Sequence, residues 1–301
     1  MNFIEFNKTF SNEQDVVNYF IKIRYNSEIK CNHCESNKVY KTKNIKLFHC
    51  NNCNTNFSIF KDTIFEKSCT DLIKWMYAIH LFLNSKKGIS GYQLMREIDV
   101  TYKTAWRMLK QIRSAMTSDN KNYFNAIVEI DETYIGGKPR KSNDKNKDND
   151  DDNHNKRGRG TKKKAVVGVV DRDNKKVFAK VAMQNKQGKK LSGIQLLKIL
   201  DEVCKKNNVV MTDEFKGYNI LDKKTNYFRL KIDHTKGYTD GDIHTNSIES
   251  FWALLKRGIY GIYHHVSLKY LQNYVNEFCF RYNNRDNNMF DLILKQAVFN
   301  G

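Results

Sequence analysis

The sequence has little proline, lacks a long apolar run and has fewer acidic than basic residues. Proline occurs once, at Pro139, and 40% of the 301 residues are apolar, so most of the chain is expected to be globular. No apolar stretch approaches the ~20 residues that a membrane-spanning helix requires. The first part of the chain carries Glu5, Glu13 and Asp15, which is not the composition of a signal peptide. We therefore expect no membrane partner and a reducing, cytoplasmic setting.

Positive charge dominates the composition. Lys and Arg number 52 against 33 Asp and Glu, which gives a formal net charge of +19 at pH 7. Such an excess attracts phosphate backbones and makes binding sensitive to salt. Part of it lies in residues 138–164, a segment with almost no apolar residues that we expect to be a mobile loop. The rest is distributed, which favours a nucleic-acid partner. A basic surface that only keeps the protein soluble is the alternative, although solubility would not need so large an imbalance.

Four of the seven cysteines form two CxxC knuckles in the pattern C-x2-C-x15-C-x2-C: Cys31, Cys34, Cys50 and Cys53. Each knuckle is a tight turn that directs two thiolates to one point, and two knuckles at this separation can complete a tetrahedral Zn2+ site. The metal is expected to brace a small module that contacts nucleic acid. The other three cysteines stand alone in apolar surroundings and are predicted to be small core residues: Cys69, Cys204 and Cys279.

The N-terminal part of the chain is predicted to contain a helix and a small ribbon. A capping-box pattern that begins at Ser11 is followed by apolar residues at near-helical spacing, which predicts a helix near 12–25. β-type stretches between and after the knuckles predict the ribbon, at 38–49 and 54–60. We assign residues 1–66 to this first domain.

Three further helices are predicted within residues 67–118, at about 70–83, 90–98 and 101–116. A short helix, a tight turn and a longer basic helix are typical of a helix-turn-helix, so this stretch is predicted to be a DNA-binding domain. The last helix places its basic side chains opposite its apolar face, and these are predicted to face DNA: Lys103, Arg107, Lys110 and Arg113. An ordinary three-helix packing unit with a solvated basic face explains the same pattern equally well.

The apolar period changes at residue 124, and residues 119–301 are predicted to form the third domain. Strands are predicted at 124–134, 165–171, 177–183 and 209–212. Helices are predicted at 191–206, 246–257 and 267–283. The order β-β-β-α-β-α-α joins hairpin-linked strands to helices, which indicates a mixed α+β or α/β fold.

Three acidic residues of this domain form a candidate catalytic group. Asp131 lies within the first strand, Asp213 follows the fourth, and Glu249 is in the first turn of the next helix. Hard cations such as Mg2+ take oxygen ligands, and a pair of them can stabilise an in-line phosphoryl displacement. Each residue also has a structural explanation, because the aspartates suit turns and Glu249 could complete a capping box with Asn246. An Asp within a buried strand, however, is costly unless it is ligated or paired.

Basic and polar residues flank Glu249. Lys256 lies seven positions further on, hence on the same helix face, with Arg257 beside it. These two cations are predicted to contact phosphate near the site. His244 and Asn246 precede the helix and could approach the metal or the scissile phosphate, although a lone His before a helix is more often structural.

Longer motifs carry a resemblance to a known family. They comprise the two knuckles and the stretches ISGYQL, TAWRML, EIDETYIGGK, TDEFKGY and HTNSIESFWALLKRG. Over about residues 12–290 the chain resembles the zinc-ribbon DDE transposases of bacterial insertion sequences (ISXO2-like), which are related to the eukaryotic Merlin transposons.

The resemblance implies an RNase-H-like catalytic domain preceded by a small zinc ribbon and a helix-turn-helix. It maps a metal-binding triad onto Asp131, Asp213 and Glu249, with Mg2+ or Mn2+ as cofactor beside the structural Zn2+. It also implies that the ribbon and the helix-turn-helix recognise terminal inverted repeats. The partners would be double-stranded DNA, as transposon ends and target, and a second copy of the chain, in a homodimer or higher assembly on DNA.

The sequence hypothesis is therefore a nucleoid-associated DNA transposase that cleaves phosphodiesters at element ends and joins the freed 3′-hydroxyl to target DNA. Two rival functions remain open at this point. One is a non-catalytic DNA-binding regulator built from the ribbon and the helix-turn-helix. The other is a nuclease or resolvase on the same fold, which would hydrolyse DNA without joining it.

Overall fold

A computed structural model describes residues 1–116, 124–137, 163–182, 191–223, 226–232 and 244–299. The chain divides into two compact units, one formed by Met1–Thr117 with Asn284–Gly301 and the other by Ser118–Asn283. The predicted domain boundary at 118, most of the predicted mobile insert and the end of the third predicted strand lie outside the described residues.

The first unit contains a three-stranded antiparallel ribbon and six helices among its described residues. The ribbon has the order β1 (Val39–Lys41), β2 (Leu47–Cys50) and β3 (Thr55–Ser58). The helices are α1 (Phe3–Thr9), α2 (Glu13–Tyr25), α3 (Leu72–Asn84), α4 (Gly91–Ile98), α5 (Tyr102–Ala115) and α9 (Met289–Phe299). The predicted ribbon and the four helices predicted up to residue 116 are confirmed, whereas α1 and α9 were not predicted.

Helix α2 begins one residue later than its sequence pattern suggested. Asn12, not Ser11, is the N-cap: its side chain accepts the Asp15 backbone N–H, and the Asp15 side chain accepts the Asn12 N–H in return. This reciprocal pair satisfies two backbone donors that the first helical turn leaves without intrahelical partners. Asp15 stands three residues after Asn12, which is the spacing that a capping box requires.

Helix α9 belongs to the first unit and not to the domain 119–301 that the sequence suggested. Its apolar face is fully buried at Ile293, Leu294 and Ala297. Phe290 packs against Phe10 and Phe6, with ring centroids 5.9 and 6.5 Å apart. These contacts join residues that are far apart in the sequence, so a single domain boundary along the chain does not predict them.

The prediction for the isolated cysteines is wrong for one of the three. Cys204 and Cys279 are buried, as expected, but Cys69 is exposed. Cys69 lies in the short connection before α3, where its apolar neighbours Phe65 and Leu72 are buried while the cysteine between them is not.

The second unit is built on a five-stranded mixed sheet with the order β6-β5-β4-β7-β8. Its strands are β4 (Ile127–Ile135), β5 (Lys164–Asp171), β6 (Lys176–Val181), β7 (Val209–Thr212) and β8 (Phe228–Lys231). Strands β4, β5 and β6 are antiparallel, whereas β7 and β8 run parallel to β4. Four of the strands were predicted, and the edge strand β8 was not.

Helices cover both faces of this sheet. Helix α6 (Gly193–Val203) packs on the face that carries Val128 and Ile130. Helices α7 (Asn246–Gly258) and α8 (Leu271–Asn283) pack on the face that carries Ile135 and Val166. The expected mixed α and β class is confirmed. In the described part of the chain, no helix combines the length and the apolar character needed to cross a bilayer.

Candidate active site and zinc centre

The four knuckle cysteines converge in the ribbon. Their sulfur atoms all lie within 4.8 Å of one another, and the pairs Cys31–Cys53 and Cys34–Cys50 are each 3.6 Å apart. A tetrahedron of sulfurs about 2.3 Å from a central ion has edges of roughly 3.8 Å, so the spacing fits Zn2+. None of the cysteines is in a disulfide.

Hydrogen bonds favour the thiolate form that zinc needs at Cys34 and Cys31. At Cys53 the Thr55 hydroxyl lowers the pKa, but burial and the neighbouring thiols outweigh it and raise that pKa to about 11. The backbone N–H of Ser36, followed by the Asn52 amide, lowers the pKa of the Cys34 thiol. Burial raises the pKa of Cys31, but the N–H groups of His33 and Cys34 and the neighbouring thiols outweigh it, so the pKa falls to about 6. The donor set and its environment therefore fit a structural zinc ion.

The alternation of β4 distinguishes the candidate Asp131 from its neighbour Glu132. Glu132 points to the α6 face, where its Oε2 accepts the Tyr218 hydroxyl at 2.9 Å. Asp131 points to the opposite face, where its Oδ2 accepts the Trp252 indole N–H at 3.0 Å. Only Asp131 therefore shares a face with α7, which carries Glu249.

Strand register brings Asp213 next to Asp131. Parallel pairing joins Ile127 to Val209 and Glu129 to Met211. Asp213 follows two residues after this paired segment and lies close enough to Asp131 for its carboxylate to help raise the Asp131 pKa. Asp213 lies just beyond the end of β7, and its Oδ1 accepts the Phe215 N–H at 2.9 Å.

Glu249 lies in the first turn of α7, three residues before the Trp252 that binds Asp131. Residues three apart are neighbours on a helix surface, so Glu249 lies beside Trp252 on α7. Glu249 is exposed, and its Oε1 accepts the Thr245 hydroxyl at 3.3 Å. The suggested capping box with Asn246 does not form: Thr245 is the N-cap, and α7 has no side-chain cap hydrogen bond.

The electrostatics of this cluster are those of crowded negative charge. Burial, and then the carboxylates of Glu132 and Asp213, raise the pKa of Asp131 to about 7, although the Glu132 N–H and the Trp252 indole partly oppose this. A cation placed between the carboxylates would offset the free-energy cost of ionising Asp131. In this respect the residues fit Mg2+ or Mn2+. Within the described ranges, the knuckle cysteines are the one group of three or more His, Cys, Asp or Glu residues whose ligand atoms all lie within 4.8 Å of one another. The oxygens of Asp131, Asp213 and Glu249 therefore do not all lie within 4.8 Å of one another in this structure.

Sequence inspection missed Glu129, which fixes α7 to the sheet. Its carboxylate is fully buried and accepts the backbone N–H of Ile248 at 2.9 Å and the Nε–H of Arg172 at 2.7 Å. Gly168 of β5 permits the helix to approach, since a Cβ there would lie 2.7 Å from the side chains of Ile248 and Trp252. A charged residue two positions before Asp131 in the same strand was the available signal.

The predicted DNA-facing cations differ in exposure. Lys103, Lys110 and Arg257 are exposed, and Lys256 is half-buried. Arg107 is half-buried and donates to the Thr70 hydroxyl at 3.2 Å. These five residues keep their predicted role as a proposal.

The prediction for Arg113 is wrong. Its side chain is buried, and the guanidinium lies over the Phe82 ring, 5.3 Å from the centroid. Arg113 follows Ile112 at the edge of the apolar stripe of α5, so its long stem enters the core.

The comparison with protein families decides the identity of the second unit. A family model described as an ISXO2-like transposase domain matches residues 124–283. The chain belongs to the ISXO2-like transposase family. A second model, a transposase zinc-ribbon domain, matches residues 11–56 of this transposase family member and includes all four knuckle cysteines. The family resemblance inferred from the sequence is therefore confirmed, and the zinc assignment of the ribbon has independent support.

Two curated relatives also match this ISXO2-like chain. An uncharacterized protein in transposable element ISH50 of Halobacterium salinarum is 29% identical over 259 residues, which cover 83% of this chain and 84% of that protein. An uncharacterized transposase-like protein of Haemophilus influenzae is 29% identical over 103 residues, 34% of this chain and 82% of that protein. Among solved structures, a pre-cleavage Mos1 transpososome matches with a TM-score of 0.31 and 12% identity, over 74% of this chain and 78% of that one. A likeness at that level lends no weight to the fold assignment.

Proposed function

We propose that this chain is an active DNA transposase of the DDE type, with an RNase-H-like second unit. It would hydrolyse a phosphodiester at each end of its element and then use the freed 3′-hydroxyl to attack target DNA. The observation that supports this proposal is the bond from Trp252 of α7 to Asp131, together with the position of Asp213 directly after the strand that pairs in parallel with the strand of Asp131.

The three carboxylates would hold Mg2+ or Mn2+. When bound, such ions supply an activated water or hydroxyl and stabilise the charge on the attacking and leaving oxygens. The protein's own contribution is to fix the carboxylates before DNA binds: Trp252 orients Asp131, and Glu129 anchors the α7 backbone one residue before Glu249. Lys256 and Arg257, on the same helix, would contact the DNA backbone.

Helices α3, α4 and α5 would form the helix-turn-helix that recognises the terminal inverted repeats. Only residues 99–101 separate α4 from α5, and Asp99 takes the left-handed conformation (φ 47°) that such a turn requires. Exposed Tyr92 and Tyr102 stack at the beginnings of the two helices, with centroids 4.4 Å apart, beside exposed Lys103. These features support DNA contact through the first turn of α5, with the zinc ribbon contributing in the same unit.

Both element ends must be held together for transposition, so we propose that the working form on DNA is a homodimer or larger. The net charge of +19 supports a polyanionic partner and placement with the nucleoid in the cytoplasm.

The decisive experiment supplies labelled element-end duplexes, a target plasmid and Mg2+, and separates nicked from joined products. Wild-type protein is expected to produce both, whereas Asp131→Asn should bind the ends and produce neither. Nicking without joining would establish the nuclease alternative, and end binding without nicking would establish the regulator. Both outcomes contradict the proposal.

A further inference from the structure

A buried polar cluster beside the carboxylates links Glu129, Arg172 and His244. Arg172 donates from Nε to Glu129 Oε1 at 2.7 Å and from Nη2 to both His244 Nδ1, at 2.7 Å, and the His244 carbonyl oxygen. The Glu129 side chain is fully buried, and that of Arg172 is 15% exposed. One guanidinium therefore holds a strand of the sheet and the residue that leads into α7.

This cluster determines which nitrogen of His244 carries a proton. A guanidinium can only donate hydrogen bonds, so His244 Nδ1, at 2.7 Å from Nη2, must accept. The Asn246 N–H also points at Nδ1, at 3.4 Å. Nδ1 also lies 3.5 Å from Glu129 Oε1, but the two atoms do not form an ion pair, because Nδ1 has no proton to donate. They are close because both accept hydrogen bonds from Arg172. His244 is consequently a neutral ring with its proton on Nε2.

The ring that carries this Nε2–H donor is partly open to solvent. The His244 side chain is 28% exposed, and among the residues that the structure describes Nε2 has no hydrogen-bond partner. His244 lies five residues before Glu249, and the backbone between them is fixed where Ile248 donates to Glu129. The donor is thus held on the same framework as the candidate catalytic carboxylates.

We propose that His244 is a DNA-binding residue of the catalytic site, whose Nε2–H donates a hydrogen bond to a phosphate oxygen of the DNA strand beside Glu249. This inference rests on the proposed function. A phosphodiester oxygen is the ligand that fits, because a neutral N–H can bind an anion next to carboxylates without itself binding the cation they hold. Arg172 and Glu129 act as positioning residues, since they set the tautomer and the orientation of the ring.

Two substitutions of His244 separate the Nε2–H donor from the hydrogen bond that Nδ1 accepts from Arg172. His244→Asn keeps an acceptor near the position of Nδ1 for Arg172 but removes the Nε2–H donor. His244→Gln extends an amide N–H towards the position of Nε2 and loses the acceptor. The probe is an element-end duplex in which single phosphates near the cleavage position are replaced by neutral methylphosphonates, with affinity measured by fluorescence anisotropy in the absence of divalent cations.

Wild-type protein is expected to lose about tenfold in affinity when one particular phosphate is neutralised, as for a hydrogen bond to a charged group. His244→Asn should bind the unmodified duplex about tenfold more weakly and lose nothing further at that phosphate. Equal sensitivity of wild type and His244→Asn at every phosphate would overturn the proposal. His244→Gln should retain the sensitivity that His244→Asn loses, and equal sensitivity of the two variants contradicts the proposal. If the Asn variant fails to fold, His244→Ala takes its place as the variant without a donor.

Cleavage assays distinguish this result from the proposed function itself. If wild type cleaves in Mg2+ and His244→Asn cleaves equally well, the role of His244 is wrong while the transposase proposal stands. If wild type does not cleave at all, the proposed function fails, and the binding measurement still decides the role of His244.

Discussion

The indole N–H of Trp252 donates to the Asp131 carboxylate at 3.0 Å, and this bond joins the helix that carries Glu249 to the strand that carries Asp131. The same indole ring packs over Gly168 of the neighbouring strand. The Trp252 side chain therefore makes both the packing contact and the polar contact. Any change that moves α7 away from the sheet should also break its hydrogen bond to Asp131.

Gly168→Ala is expected to displace α7. The added Cβ would lie 2.7 Å from the side chains of Ile248 and Trp252, and overpacking of this kind typically costs about 1–3 kcal/mol. The rate of strand cleavage should fall more than the affinity for DNA, because the substitution removes none of the basic side chains proposed to contact DNA. Gly137→Ala is the matched control, since a Cβ there meets no atom of the described residues within 4 Å. Equal cleavage by the two variants would show that the seating of α7 does not matter.

Asp131→Asn is expected to abolish cleavage and to raise stability in metal-free buffer. The pKa of Asp131 is raised from 3.8 to about 7, so in the folded state the carboxyl favours its neutral form. Its contribution to stability is fully present at low pH and is lost as pH rises towards 7. At about pH 8 without divalent cations, the variant should therefore be more stable by on the order of 1–3 kcal/mol, a gap that narrows by about pH 5. Denaturant unfolding at both pH values tests this, and a less stable variant at pH 8 would contradict it.

Cys34→Ser is expected to remove zinc from the ribbon and to destabilise the first unit. Structural zinc contributes its binding energy to folding, so the effect should reach several kcal/mol. Metal analysis should find one zinc ion per wild-type chain and less in the variant. Cys69→Ser is the control, because Cys69 is exposed and lies outside the cluster. Unchanged zinc content in Cys34→Ser would reject the four-cysteine site.

His80 is expected to make the first unit less stable in mild acid. It is 5% exposed, and burial, followed by repulsion from the amino terminus, lowers its pKa below 6.5. The folded state favours the neutral ring, so stability is retained above pH 6.5 and decreases as pH falls below it. The Phe6 and Phe290 rings beside it make His80→Phe a suitable non-titrating variant.

The measurement is the change in unfolding free energy between about pH 7.5 and about pH 5.5 for wild type and His80→Phe. Wild type should lose more, and the zinc site contributes equally to both proteins. A parallel decline would show that His80 has no part in the pH dependence.

The sequence was informative wherever a pattern is local. The two knuckles, the helices up to residue 116 and four strands of the main sheet follow from spacing and periodicity, as does the position of each carboxylate on its element. The sequence places Asp131 and its neighbour Glu132 on one strand, but only the packing on the two faces of β4 shows which of them faces α7. Side-chain direction in a strand depends on which face is covered, and that is a tertiary property.

The errors at Arg113, at helix α9 and at Glu129 concern long-range packing. Arg113 lies at the margin of an apolar stripe, and its burial depends on α3 supplying Phe82 beneath it. Helix α9 joins the first unit through aromatic contacts with residues about 280 positions earlier in the chain, such as Phe10 with Phe290. Glu129 was overlooked because its partners, Arg172 and Ile248, come from two other elements. None of these contacts leaves a periodic signal in the sequence.

The central claim is that Asp131, Asp213 and Glu249 bind divalent ions together. A crystal of the protein with an element-end duplex and Mn2+, measured at the manganese absorption edge, tests it most directly. Anomalous peaks about 2.1 Å from oxygens of both aspartates, with Glu249 coordinating the same ion or its immediate neighbour, are the predicted result. Manganese bound without Asp131, or a cluster from which Asp213 and Glu249 are both absent, would contradict it.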